Sequence, residues 1–186
     1  MGASNVKQNG THNSKKPMNN SDLVQNSIQD ESDFQLSEDY KEILKESWTG
    51  LKGDISKVGV ITFMKLFETH PDVQDAFLPF RGLSTTDMEQ SAILRAHALR
   101  VMMTVDKCLN RIESPSKIEG LMAELGRRHI NYNIKAEYMD MMGEQFIYAL
   151  KSNLNDRWSP DVEKAWVALF NMMKFYMRRG LAEKHN

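Results

Sequence analysis

The stretch TDMEQSAILRAHALRVMMTVDKCLN, residues 86–110, decides how the chain is read. At 3.6 residues per turn, Leu94, Ala98, Val101, Val105 and Cys108 gather on one side of a helix, and His97 stands on the same side. One histidine on an apolar face is more often a core residue with a single hydrogen bond than a ligand. A second stripe changes that weighing. Across residues 116–129, Ile118, Leu121, Met122 and Leu125 repeat at helical spacing, and His129 is the next member. Two helices that each aim an imidazole at an oily interior point to a flat group held between them. Thr86 with Glu89, and Ser116 with Glu119, match capping boxes and are expected to open these two helices.

Outward from this pair, the composition sets bounds. With 186 residues, 41% of them hydrophobic, the chain can bury one core of ordinary domain size. A formal charge of −1, from 24 basic and 25 acidic residues, leaves no electrostatic footprint for nucleic acid. No apolar run approaches the roughly 18–20 residues of a membrane span, and the polar start lacks the apolar middle of a signal peptide. The single cysteine, Cys108, excludes an intrachain disulfide and fits a reducing, cytoplasmic setting. Its place on an apolar face makes it a small buried hydrophobe rather than a redox sensor.

Residues 1–35 are rich in Asn, Ser, Gln and Lys and carry no aromatic before Phe34, so a disordered polar tail is expected there. Gly2 meets the first requirement for N-myristoylation and membrane association. Val6 stands where Ser or Thr is usual, and Ala3 offers no second acyl site. An ordinary terminus is the plainer reading.

From Leu36 the texture is helical. Ser37 predicts an N-cap with Glu38 and Asp39 in the first turn, and Tyr40, Ile43, Leu44, Trp48 and Leu51 form the apolar side. A second helix runs from about Asp54 to Thr69, and Pro71 stops it. Residues 72–83 read as short and irregular, with Phe77 and Phe80 set among Pro79, Arg81 and Gly82. Large rings in such a stretch need something to cover. After the His129 helix, broken by Asn131 and Asn133, a long helix follows from about Ala136 to Asn153. Ser159-Pro160 starts the last one, with Gly180 as its expected C-cap. The fold class is all-α, with about six or seven helices legible in the pattern. A domain over 36–182 and a short end over 183–186 complete the division.

The two imidazoles suit haem. A porphyrin iron has two open axial sites, and a neutral imidazole fills one while its other nitrogen donates to a fixed acceptor. His129, at a helix end, can donate to a carbonyl one turn back, near Leu125. Arg100 and Val101 follow His97 at i+3 and i+4; Val101 would lie over the ligand side and Arg100 would reach a propionate. Phe63 and Phe77 would wall the pocket. His12, His70 and His185 read as incidental, and the 13 methionines as adaptable core filler. Arg127 and Arg128 read as a solvated face.

In order, Leu36-Ser37-Glu38, Leu66-Phe67 before His70-Pro71, Phe77 and Phe80, His97 with Val101, and Leu125 with His129 resemble the globin family over about residues 36–182. The resemblance implies a globin fold of about seven to eight helices around a haem b pocket. It makes His129 the proximal iron ligand, His97 the distal histidine, and Phe77 the loop phenylalanine on the haem. Phe63 then stands above the ligand site and Ile134 packs on the haem after the proximal helix. The run Leu125-Gly126-Arg127-Arg128-His129, with Gly143-Glu144 and Ala165-Trp166, is most similar to the neuroglobin and globin X group. Members of that group often bind iron through both histidines at rest.

The implied function is reversible binding of dioxygen, nitric oxide or carbon monoxide at iron, for transport, storage or redox sensing. Nitric oxide dioxygenation or nitrite reduction at the same site, with a separate reductase, is the alternative. A haem-free helical interaction protein is the reading from another class.

Overall fold

The computed structural model describes residues 35–132 and 134–183. Residues 1–34 of the expected tail, with Gly2 and His12, as well as Asn133 and, at the other end, His185, lie outside the described residues. Eight α-helices carry the described chain: α1 Glu38–Thr49, α2 Ile55–Thr69, α3 Pro71–Ala76, α4 Thr85–Gln90, α5 Ala92–Leu109, α6 Pro115–His129, α7 Glu137–Leu154 and α8 Pro160–Ala182. Short 3-10 turns occupy Leu78–Phe80, Ile130–Tyr132 and Asn155–Arg157. No strand occurs among the described residues. The all-α expectation holds.

Local chemistry explains most boundaries. Ser37 accepts from the Tyr40 N–H and Ser159 from the Val162 N–H, as the sequence predicts. The helix carrying His97 starts differently. Ser84 caps α4, and Ser91, in an extended conformation, accepts from the Leu94 N–H and opens α5. The segment assigned to one helix from Thr86 is therefore two, joined at Ser91. The His129 helix opens at Pro115 rather than through a Ser116 box, because Pro at N1 has no N–H to satisfy. Pro71 both ends α2 and starts α3 inside the stretch expected to be irregular.

Two apolar clusters make up the core. One runs through α1, α8, the later turns of α5 and α7 and the first turns of α6, around Trp48 and Trp166. The tilted indoles lie 5.8 Å apart. Each has its polar atom satisfied: Trp48 Nε1 donates to Asp106 at 2.8 Å and Trp166 Nε1 to Ser47 Oγ at 3.0 Å. The other cluster gathers α2, α3, the first 3-10 turn, α4 and the starts of α5 and α7 around Phe63, Phe67 and Phe80.

Glycines set the closest helix contacts. A Cβ on Gly126 of α6 would lie 2.1 Å from the Met177 carbonyl of α8, and one on Gly180 would lie 2.0 Å from the Ala123 carbonyl. Backbone meets backbone there, leaving no room for a side chain. Gly180 is thus a crossing residue and not the expected C-cap; α8 continues to Ala182. Gly59 of α2 plays a milder version of this role, with its added Cβ 3.0 Å from the Ala98 carbonyl of α5. These contacts seat the two histidine-bearing helices. No helix among the described residues is long and apolar enough to cross a membrane.

Candidate functional site

A cavity of about 250 Å³ lies between the two apolar clusters, drawing Phe63 and Tyr138 from one and Val105, Met122 and Phe146 from the other. Both His97 and His129 line it. The rest of its wall is almost entirely apolar side chains.

His129 closes α6, and its Nδ1 lies 2.8 Å from the Leu125 carbonyl oxygen. A carbonyl only accepts, so Nδ1 carries the hydrogen and donates. Nε2 is left as the basic nitrogen, the form of imidazole that binds iron. The i to i−4 spacing produces this bond, because it sets the last ring of the helix beside a carbonyl one turn back, whose second lone pair can accept it.

His97 packs edge-on against Phe63 at 5.0 Å and Phe77 at 5.8 Å between ring centroids. Burial among these rings, then the charge of Arg100 and the nearby His129, lowers its pKa from 6.5 to about 4. A neutral ring at His97 follows at ordinary pH, with a lone pair to offer. Arg100 itself is exposed where it lines the cavity.

Of the residues singled out in sequence, Phe63, Phe77, His97, Arg100, Val101, Leu125, His129 and Ile134 all line the cavity. Phe80 does not. It is 2% exposed, stacked on Phe77 with 22° between planes and packed on Phe67. The Gln74 amide donates to the carbonyls of Phe80 and Leu83, at 2.8 and 3.0 Å, and so fixes the turn. Phe77 turns toward the cavity, and Phe80 supports it from behind. Sequence reasoning missed Thr104, Tyr138, Lys174 and five methionines of the lining. Met173 and Met177 are one turn apart on α8, a spacing that marks a shared face without saying what it faces.

Haem fits this donor set. Among the described residues, no group of three or more His, Cys, Asp or Glu could hold a bare metal ion. A macrocycle that brings four nitrogens of its own needs only one or two further donors and an apolar slot, and the slot here is lined by two imidazoles that could serve.

Two imidazoles delivered by separate helices to one apolar slot define the class, a helical haem protein. The globin family model matches residues 61–177. The chain belongs to the globin family, and within it is similar to the neuroglobins. Neuroglobin from Tetraodon nigroviridis is 28% identical over 149 residues, covering 80% of this chain and 94% of that protein. An anaerobic nitrite reductase from Physcomitrium patens is 29% identical over 140 residues, 74% of this chain and 77% of that protein. Among solved structures, a hexacoordinated haem protein from an anhydrobiotic tardigrade has a TM-score of 0.77 at 21% identity, covering 83% of this chain and all of that one. The last likeness is one of fold.

Proposed function

We propose that this globin, over residues 36–182, binds haem between His129 as proximal ligand and His97 as distal ligand. We further propose that dioxygen, nitric oxide or carbon monoxide competes with His97. The observation that carries this reading is the pair of imidazoles on one cavity, one with its Nδ1–H committed to the Leu125 carbonyl. Haem, when bound, supplies the iron at which the gas is held.

The two imidazoles have different tasks. His129 anchors, because its ring is fixed by the hydrogen bond and by the end of α6. His97 is neutral and would compete with the gas for the iron, so the apparent gas affinity would be scaled by the fraction of protein in which it has swung away. Displaced, its N–H can donate to a polar ligand in a pocket of low dielectric. Arg100, at the exposed rim, is placed to pair with a propionate. Phe63, Phe77, Val101 and Ile134 keep water from the slot.

Such coordination suits redox or oxygen sensing in the cytoplasm better than bulk delivery, since bis-histidine ligation changes little between oxidation states. The likeness to a plant nitrite reductase favours a second reading, nitrite reduction or nitric oxide dioxygenation with electrons from a separate reductase.

The test is the absorbance spectrum of the ferrous protein without added ligand. Split visible bands that His97→Leu abolishes are expected. A spectrum unchanged by that substitution would refute distal ligation, and no Soret band after haem addition would refute the haem site.

A further inference from the structure

Thirteen methionines are many for 186 residues, and five of them, Met122, Met139, Met142, Met173 and Met177, line the cavity. All five come from α6, α7 and α8; α2 and α5 furnish aromatic, branched and polar side chains instead. Thioethers fill gaps adaptably, and that accounts for their use in a core. It does not say what five of them do on the wall of the cavity proposed to admit small ligands.

What separates a thioether from Leu or Phe of similar size is that it accepts an oxygen atom, and reductases remove it again. Met122, Met139 and Met173 are only 3%, 6% and 7% exposed, so an oxidant in bulk solution reaches them poorly. A cavity that admits diatomic gases admits hydrogen peroxide, which is little larger. Tyr138 and His129 stand on the same wall and are the groups that damage would otherwise reach.

We propose that the methionine wall of α6, α7 and α8 is an oxidation site, at which Met122, Met139 and Met173 consume hydrogen peroxide that enters the haem cavity. The inference rests on haem occupying that cavity. In the step, the peroxide O–O bond breaks and one oxygen forms a bond to sulfur. The thioether loses two electrons and becomes the sulfoxide. The second oxygen leaves with both protons as water.

The molecule contains its own controls. Met102 and Met172 are as buried, at 0% and 1%, but do not line the cavity, and Met103 is 43% exposed. The haem-loaded full chain is treated with one equivalent of hydrogen peroxide, and peptides are mapped by mass spectrometry, with exposed Met103 reporting the bulk oxidant. Expected is sulfoxide at Met122, Met139 and Met173 at least about tenfold above Met102 and Met172. Sparing of the cavity methionines, or equal oxidation of Met102 and Met172, overturns the proposal.

A second arm uses the volume-conserving triple variant Met122→Leu, Met139→Leu, Met173→Leu. Several-fold faster haem bleaching under repeated peroxide, with oxygenated Tyr138, supports the site; unchanged bleaching overturns it. A normal Soret band with spared methionines sinks this proposal alone, whereas a chain that takes up no haem sinks the haem assignment itself.

Discussion

The hydrogen bond from His129 Nδ1 to the Leu125 carbonyl does two things at once: it chooses the tautomer and it stops the ring from turning. Replacing His129 by Leu removes both the nitrogen and its orientation. Haem affinity, followed by Soret titration, is expected to fall by more than the roughly 10–100-fold that loss of an outer-shell partner costs a metal site. Cys108 gives a contrasting case. Burial pushes its thiol up to about 12, against a small opposing pull from Arg111. The thiolate is the reactive form, so iodoacetamide at mildly alkaline pH should label this residue only after denaturation. Prompt labelling of the native protein would show the site to be open. At this scale the sequence was most legible where periodicity and chemistry agreed, as at His97 and His129. Spacing alone does not separate Phe77 from Phe80, and only the family resemblance singled out Phe77, because three residues of 3-10 turn decide which ring faces the cavity, and a Gln74 amide fixes the turn.

Between elements, the decisive contacts are ones no local pattern announces. Gly180 looks like a helix terminator when read alone; its reason is a carbonyl on α6, more than fifty positions away in the chain. Gly126→Ala is expected to destabilise the protein by about 1–3 kcal/mol, the range for forced overpacking, and to weaken haem retention because α6 carries His129. Gly120→Ala, in the same helix with open space around its added Cβ, should instead stabilise by up to about 1 kcal/mol. Urea unfolding of the pair checks both signs. The start of the His97 helix was misplaced for a related reason: Ser84, Thr86 and Ser91 all make acceptable caps, and packing chooses among them.

Another tie between elements joins α7 to α8. Asp140 receives Lys174 and Arg178. Partial burial works to raise its pKa, but the two cations prevail and hold it below the usual carboxylate value. A carboxylate depressed in the folded state adds stability above its unfolded pKa of about 3.9, lost as the pH falls through the lower folded value. Asp140→Asn should flatten that acid limb and leave stability near neutrality only slightly reduced, since Asp140 is exposed and its two cations are only half-buried. An unaltered limb in acid titrations of the variant would show that the tie contributes nothing.

For the whole molecule, the important fact is that the cavity lies on the seam between the two apolar clusters. A ligand seated there touches both, and binding to the folded state alone stabilises it by RT ln(1 + [L]/Kd). Haem removal should therefore lower the melting temperature and loosen one side more than the other. The cluster built from α3, the first 3-10 turn and α4 depends on elements of three to six residues. Such elements are too short to persist without tertiary support. Hydrogen exchange of the haem-free protein is expected to accelerate first across residues 71–90, while the Trp48–Trp166 cluster stays protected. Uniform loss of protection would mean that the two clusters open together.

The interruption at Ser91 bears on how easily the His97 ring could move. Had α4 and α5 formed one rod from Thr85, displacing His97 would have meant levering that rod against Met88 and the phenylalanines beneath it. With the joint where it is, fewer than two turns separate the break from the ring, and the backbone there is already extended. A ring carried so soon after a break can shift without carrying α4 along with it.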